Sequence, residues 1–138
     1  MAERIHILGD GFESHVQRIL GEILGSAEVN LDSIVHDESA RTVSFIANRR
    51  TANPSWFAVR FLSKNVKTMR CTVTIRDITE YHIDIAVQCR DLKSFIILFG
   101  PVVTDKSLTL SSIEEATGEH CVTVSVKYNR LDIEIRDG

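Results

Sequence analysis

The sequence predicts a single α+β domain, a curved and mainly antiparallel sheet of about eight or nine strands in meander order with one amphipathic N-terminal helix on its apolar face. Three observations carry this prediction. Apolar residues near the N-terminus recur at helical spacing, whereas from residue 28 onward they recur at every second position. Only two prolines and seven glycines occur, which argues against long disordered or low-complexity segments. At 138 residues, 43% hydrophobic and 25% charged, the chain suits one domain spanning residues 1–138.

Residues 4–8 read as a short strand. Phe12, Val16, Ile19, Leu20, Ile23 and Leu24 then form one helical stripe. Asp10 and Glu13 have capping-box spacing, and Gly25 suits the left-handed residue past the helix end. Alternation predicts strands at 28–36, 42–49, 56–63, 66–76, 80–89, 107–113, 120–128 and 131–136. Segment 92–99 reads as a short second helix, with Asp91 as cap and Leu92, Phe95, Ile96 and Phe99 as its stripe; FIILF also fits a buried strand.

Apolar faces must coincide across a hairpin, because a one-residue slip turns every side chain over. This rule centres hairpins near Ser39, Asn65 and Ile78. It also predicts a two-residue Asn129-Arg130 loop that sets Lys127 opposite Asp132. The hairpin at Asn65 would bring Arg60 opposite Arg70.

The opening strand runs into Gly9-Asp10-Gly11, a pattern shared with nucleotide sites. Ser14 replaces the third glycine of a dinucleotide fingerprint, and the downstream pattern is antiparallel, so the stretch reads as a turn and helix cap. No Walker loop or G-x-S-x-G elbow is present. Cys71, Cys89 and Cys121 form no CxxC pair and read as free thiols in a reducing cytoplasm, with Cys71 and Cys89 on the apolar face. His120 and Cys121 are adjacent and would diverge on a strand, so no metal site is expected, and no cofactor is expected either. The longest apolar run, FIILFGPVV, is too short for a membrane helix.

Charge is the informative feature. From Ser39 to Arg76 there is no Asp or Glu, while Arg41, Arg49, Arg50, Arg60, Lys64, Lys67, Arg70 and Arg76 all fall in that stretch. A formal net charge of −3 conceals this division. Strand parity gathers Trp56, Arg60 and Arg70 on the side away from the core, with Arg49, Arg50 and Lys64 at its loops. The acidic segments could instead fold back and neutralise this face.

The predicted function is therefore a small, soluble, non-catalytic interaction module of the immunity, inhibitor or adaptor kind. It would use these six residues to bind an acidic partner protein, without a membrane role. One alternative is single-stranded nucleic-acid binding on the same face, with Trp56 stacking on a base. Another is a small enzyme acting on an anionic substrate through His82 and Asp84 beside Arg60 and Arg70.

Overall fold

A computed structural model describes residues 4–9, 14–50, 68–97, 101–114 and 117–138, with backbone alone at Ser14 and Arg50. These residues form one helix and eleven strands in two antiparallel sheets, an α+β domain in which strand predominates. The capping pair Asp10 and Glu13, Phe12, and the segment 56–63 lie outside the described residues.

Strand β1 (Arg4–Gly9) leads to helix α1 (Ser14–Leu24). Val16, Leu20 and Leu24 lie four residues apart and are all buried. The left-handed residue after the helix is Ser26, at φ 63°, not Gly25. Gly25 serves a different need. Its N–H donates to the Gly21 carbonyl at 2.8 Å, and a Cβ on Gly25 would stand 2.3 Å from that same oxygen.

The predicted strand 28–36 is broken. β2 (Glu28–Asn30) and β3 (Val35–Asp37) are separated by a 3₁₀ turn at Leu31–Ser33, with the Asn30 side chain capping it by accepting from the Asp32 N–H. Both strands pair with β4 (Thr42–Arg50), but Val29 faces Ala47 whereas Val35 faces Ser44. The turn reverses parity, so Val29 is buried and Val35 is 57% exposed. The connection to β4 is accordingly of even length, with Arg41 at φ 57°, and is not centred on Ser39.

β5 (Thr68–Ile75) lies between β4 and β11 (Leu131–Asp137). Cys71 and Val73 pair with Ala47 and Phe45 on one side and with Asp137 and Ile135 on the other. Arg70 faces Asn48, and the turn expected about Asn65, with Arg60, lies outside the described residues.

The hairpins expected at Ile78 and at Asn129-Arg130 are crossings between sheets. β6 (Ile78–Ile85) leaves β5 through Asp77, at φ 58°, and joins β10 (His120–Tyr128) in the second sheet. β10 in turn passes to β11 in the first sheet, and the two crossings are tied by the Asn129 N–H donating to the Asp77 carbonyl at 3.1 Å. Lys127 pairs with Glu80 at 3.4 Å and not with Asp132. The apolar faces do coincide, as the parity rule required, but they meet across the core instead of along one sheet.

Segment 92–97 is not helical. A 3₁₀ turn at Val87–Cys89 leads to β7 (Ser94–Ile96), an edge strand beside β2. β8 (Val102–Val103) and β9 (Ser107–Ile113) complete the second sheet, in the order β6-β10-β9-β8. The first sheet runs β1-β11-β5-β4-β2-β7, with β3 also on β4. Both inner faces and α1 contribute to one buried cluster.

The expectation of three free thiols is also overturned. Cys89 and Cys121 form a disulfide across a sequence separation of 32, with Cα atoms 5.8 Å apart. The chain leaves β6 after Ile85 instead of continuing as a strand to Cys89. The Ala86 N–H donates to the Cys121 carbonyl at 2.8 Å, and this holds the turn against the start of β10. Cys71 remains a buried free thiol, pushed up to about 11 by burial and the charge of Asp137.

Candidate functional site

In the first sheet the odd-numbered residues of β1, β11, β5 and β4 point inward, so the even-numbered ones share the outer face. Across that face the register sets Arg4 opposite Arg136 and Arg136 opposite Thr72. The next row runs His6, Glu134, Thr74, Ser44. Leu8 faces Asp132, whose carbonyl accepts from the Arg76 N–H at 2.8 Å. Arg70 lies toward the other end of β5, and its carbonyl accepts from the Gly138 N–H at 2.9 Å.

Glu134 is the centre of this arrangement, with its side chain only 8% exposed. Arg4 donates a hydrogen bond to it, Arg136 stands at 3.4 Å and Arg76 at 3.7 Å. Burial alone would raise the carboxyl pKa. The Arg4 hydrogen bond and the charges of Arg4, Arg76 and Arg136 outweigh that effect and hold it below the usual range. Asp132 takes His6 Nε2 at 2.7 Å and Arg76 at 3.8 Å.

Four arginines therefore share a face with Glu134 and Asp132, and Glu28 stands on the same face across Asn48 from Arg70, beside Lys93. The Arg4 and Arg136 side chains are 58% and 60% exposed, so they keep donors for a ligand while sharing Glu134. The Arg70 guanidinium is exposed and makes no hydrogen bond or ion pair among the described residues.

The six residues singled out by sequence fare differently. Arg70 lies on this face. Arg49 has the parity of Val43, Phe45 and Ala47 and points inward, where it is 8% exposed and binds Asp137 through two hydrogen bonds. The Arg50 side chain, Trp56, Arg60 and Lys64 lie outside the described residues. Arg4 and Arg136, which lie outside the acid-free stretch, were missed. The signal for Arg136 was its even position in a strand whose odd residues are apolar.

Of the enzymatic constellation, Arg60 lies outside the described residues and the other members lie on different sheets. His82 and Asp84 sit on β6 in the second sheet, opposite Ser125 and Thr123, whereas Arg70 is in the first. Asp84 instead pairs with His120 at 3.3 Å. A cleft of about 710 Å³ lies beside β6, lined by residues that include His36, Glu38, Arg41, Tyr81 and His82. The His36 and Tyr81 rings stand 4.8 Å apart there. Among the described residues, no three His, Cys, Asp or Glu converge as a metal site, and no helix is long and apolar enough to cross a membrane.

No family model matches this chain, and no curated protein or solved structure matches it either.

Proposed function

We propose that the chain is a non-catalytic binding module whose outer sheet face engages an acidic surface on a partner protein. The observation that carries this reading is the excess of guanidinium on one open face, with Arg4 directly opposite Arg136. Like charges opposed across strands destabilise a sheet, and an anionic partner relieves that repulsion on association. Glu134 and Asp132 compensate only in part, since two carboxylates serve three arginines and His6. Thr72, Thr74 and Ser44 between the charges add hydroxyl groups that can donate or accept across an interface.

A nucleic-acid partner receives less support. No Phe, Tyr or Trp stands on this face among the described residues, so base stacking has no platform there. The disulfide favours an oxidising compartment over the cytoplasm expected from the cysteine count.

Poly-L-glutamate is the simplest acidic polypeptide with which to test the face. The parent protein should bind it in low salt. Arg70→Glu combined with Arg136→Glu should weaken that binding at least about tenfold without lowering the melting temperature by more than a few degrees. An unstructured thymidine oligonucleotide serves as the competing probe. If it binds more tightly than poly-L-glutamate, with a steep log–log salt slope, the nucleic-acid reading replaces this one. Equal binding by parent and variant would remove the face from consideration.

A further inference from the structure

We infer that the edge of β7 left unpaired among the described residues and the groove beside it form a second docking site, for an extended segment of a partner protein carrying an apolar residue flanked by lysine or arginine. The inference does not depend on the basic face.

The backbone supplies the first part of the argument. Among the described residues β7 pairs only with β2. The Leu31 N–H donates to the Lys93 carbonyl, and the Ile97 N–H to the Ala27 carbonyl, each at 2.9 Å. Backbone groups alternate sides along an antiparallel strand, so those two bonds set the phase of the ladder. Ser94 and Ile96 consequently direct their N–H and C=O groups away from β2. Such an edge accepts an added strand, with main-chain bonds giving affinity and side-chain pockets giving specificity.

The pocket is the second part. A groove of about 390 Å³ runs along β7 and is lined by residues of β7, the end of β9 and the Val87–Cys89 turn. Its apolar lining includes Leu92, Phe95, Ile96, Ile113 and the Cys89–Cys121 disulfide. Leu92 and Ile96 are each 46% exposed, a large apolar surface for one short edge.

Charge identifies the occupant. Among the described residues Glu28 and Glu114 line the groove and no Lys, Arg or His does, Glu28 also bordering a neighbouring cleft that holds Arg70 and Lys93. Neither carboxylate makes a hydrogen bond or ion pair among the described residues. An apolar residue entering the groove would bring residues two positions away onto the same face, where lysine or arginine would meet these carboxylates.

The peptide acetyl-Lys-Thr-Leu-Thr-Lys-amide is the probe, with its Glu-for-Lys counterpart as control, followed by the methyl NMR signals of Leu92, Ile96 and Ile113. The Lys peptide should shift these signals saturably and bind at least about tenfold more tightly than the Glu peptide. Glu28→Gln with Glu114→Gln should bring the two peptides within about twofold of each other. Strand addition uses alternate amides, so N-methylating the two threonines or, separately, the leucine should abolish binding in one case and spare it in the other. Four results would overturn the site: no saturable shift, shifts confined to other methyl groups, equal affinity for both peptides on the parent protein, or equal binding of the two N-methylated forms. Failure of poly-L-glutamate to bind the basic face would leave every one of these outcomes unaffected.

Discussion

Glu134 and Arg49 are both charged residues on strands, and their surroundings give them opposite roles. Glu134 faces outward yet is screened by three arginines, whereas Arg49 faces inward and is matched to one carboxylate by two hydrogen bonds. Removing either partner of the buried pair would leave an uncompensated charge inside, which is why Arg49 cannot serve as a surface anchor. Glu134 has a folded-state pKa below its ordinary 4.5. Its contribution to stability is therefore complete above the unfolded value and is lost as pH falls through the folded one. Glu134→Gln should be less stable than the parent at pH 7, and the two should converge as the pH falls through the depressed folded-state value. Urea unfolding across that range is the measurement, and a constant difference at all pH values would contradict the pKa shift. The same variant should strengthen poly-L-glutamate binding, because the three arginines then lack their shared carboxylate.

At the scale of elements, the end of α1 separates two properties of glycine that are easily confused. Gly25 is required by closeness, since a Cβ there would stand 2.3 Å from the Gly21 carbonyl oxygen, and Ser26 takes the left-handed conformation at φ 63°. Gly25→Ala should destabilise the protein by about 1–3 kcal/mol through overpacking against backbone that cannot retreat. Ser26→Gly should instead stabilise it by about 0.5–1 kcal/mol, the left-handed penalty being larger than the added chain entropy. Thermal denaturation of the two variants gives the signs directly. Loss of stability in both variants would instead fit a left-handed Gly25, the helix end its sequence position suggests. The broken strand at Leu31–Ser33 is a second case: a three-residue turn between β2 and β3 moves the buried set from the odd residue Val29 to the opposite parity.

At the scale of the whole molecule, the two sheets are joined by the chain crossings at Asp77 and Asn129, and the disulfide ties the turn after β6 to β10. The Cys89–Cys121 bond spans 32 residues, and the chain-entropy model assigns such a closure about 3–4 kcal/mol. Protein prepared without reductant, then denatured and titrated, should release one thiol, that of Cys71. Reduction should lower the unfolding free energy by about that amount and leave the strand signal in circular dichroism intact under native conditions. Three titratable thiols in air-protected protein would place Cys89 and Cys121 in the reduced state and return the chain to the cytoplasm expected from its sequence.

Within the regular strands and the helix, residue spacing alone set which side chains face the core, whereas Val35, beyond the turn at Leu31–Ser33, is exposed. Helical spacing in residues 16–24 and strict alternation in β4, β5, β10 and β11 depend on local geometry, and Val43, Phe45, Val73, Ile75, Val124, Val126, Ile133 and Ile135 are all buried as that geometry requires. Half of the candidate face was legible in the same way, since parity placed Arg70 outward and would have placed Arg136 there and Arg49 inward had it been applied to them. Only the tertiary structure decided which strands are neighbours. Burial parity is satisfied equally by two strands side by side in one sheet and by two strands facing each other across a core. Nothing in the alternation of 120–136 distinguishes a hairpin at Asn129 from a crossing. The consequences are specific: Arg4 meets Arg136 although 132 positions separate them, Arg70 meets Asn48, and two cysteines read as unrelated come within bonding distance. Those juxtapositions arise from long-range packing of two apolar faces and a helix, a balance no local window of sequence contains.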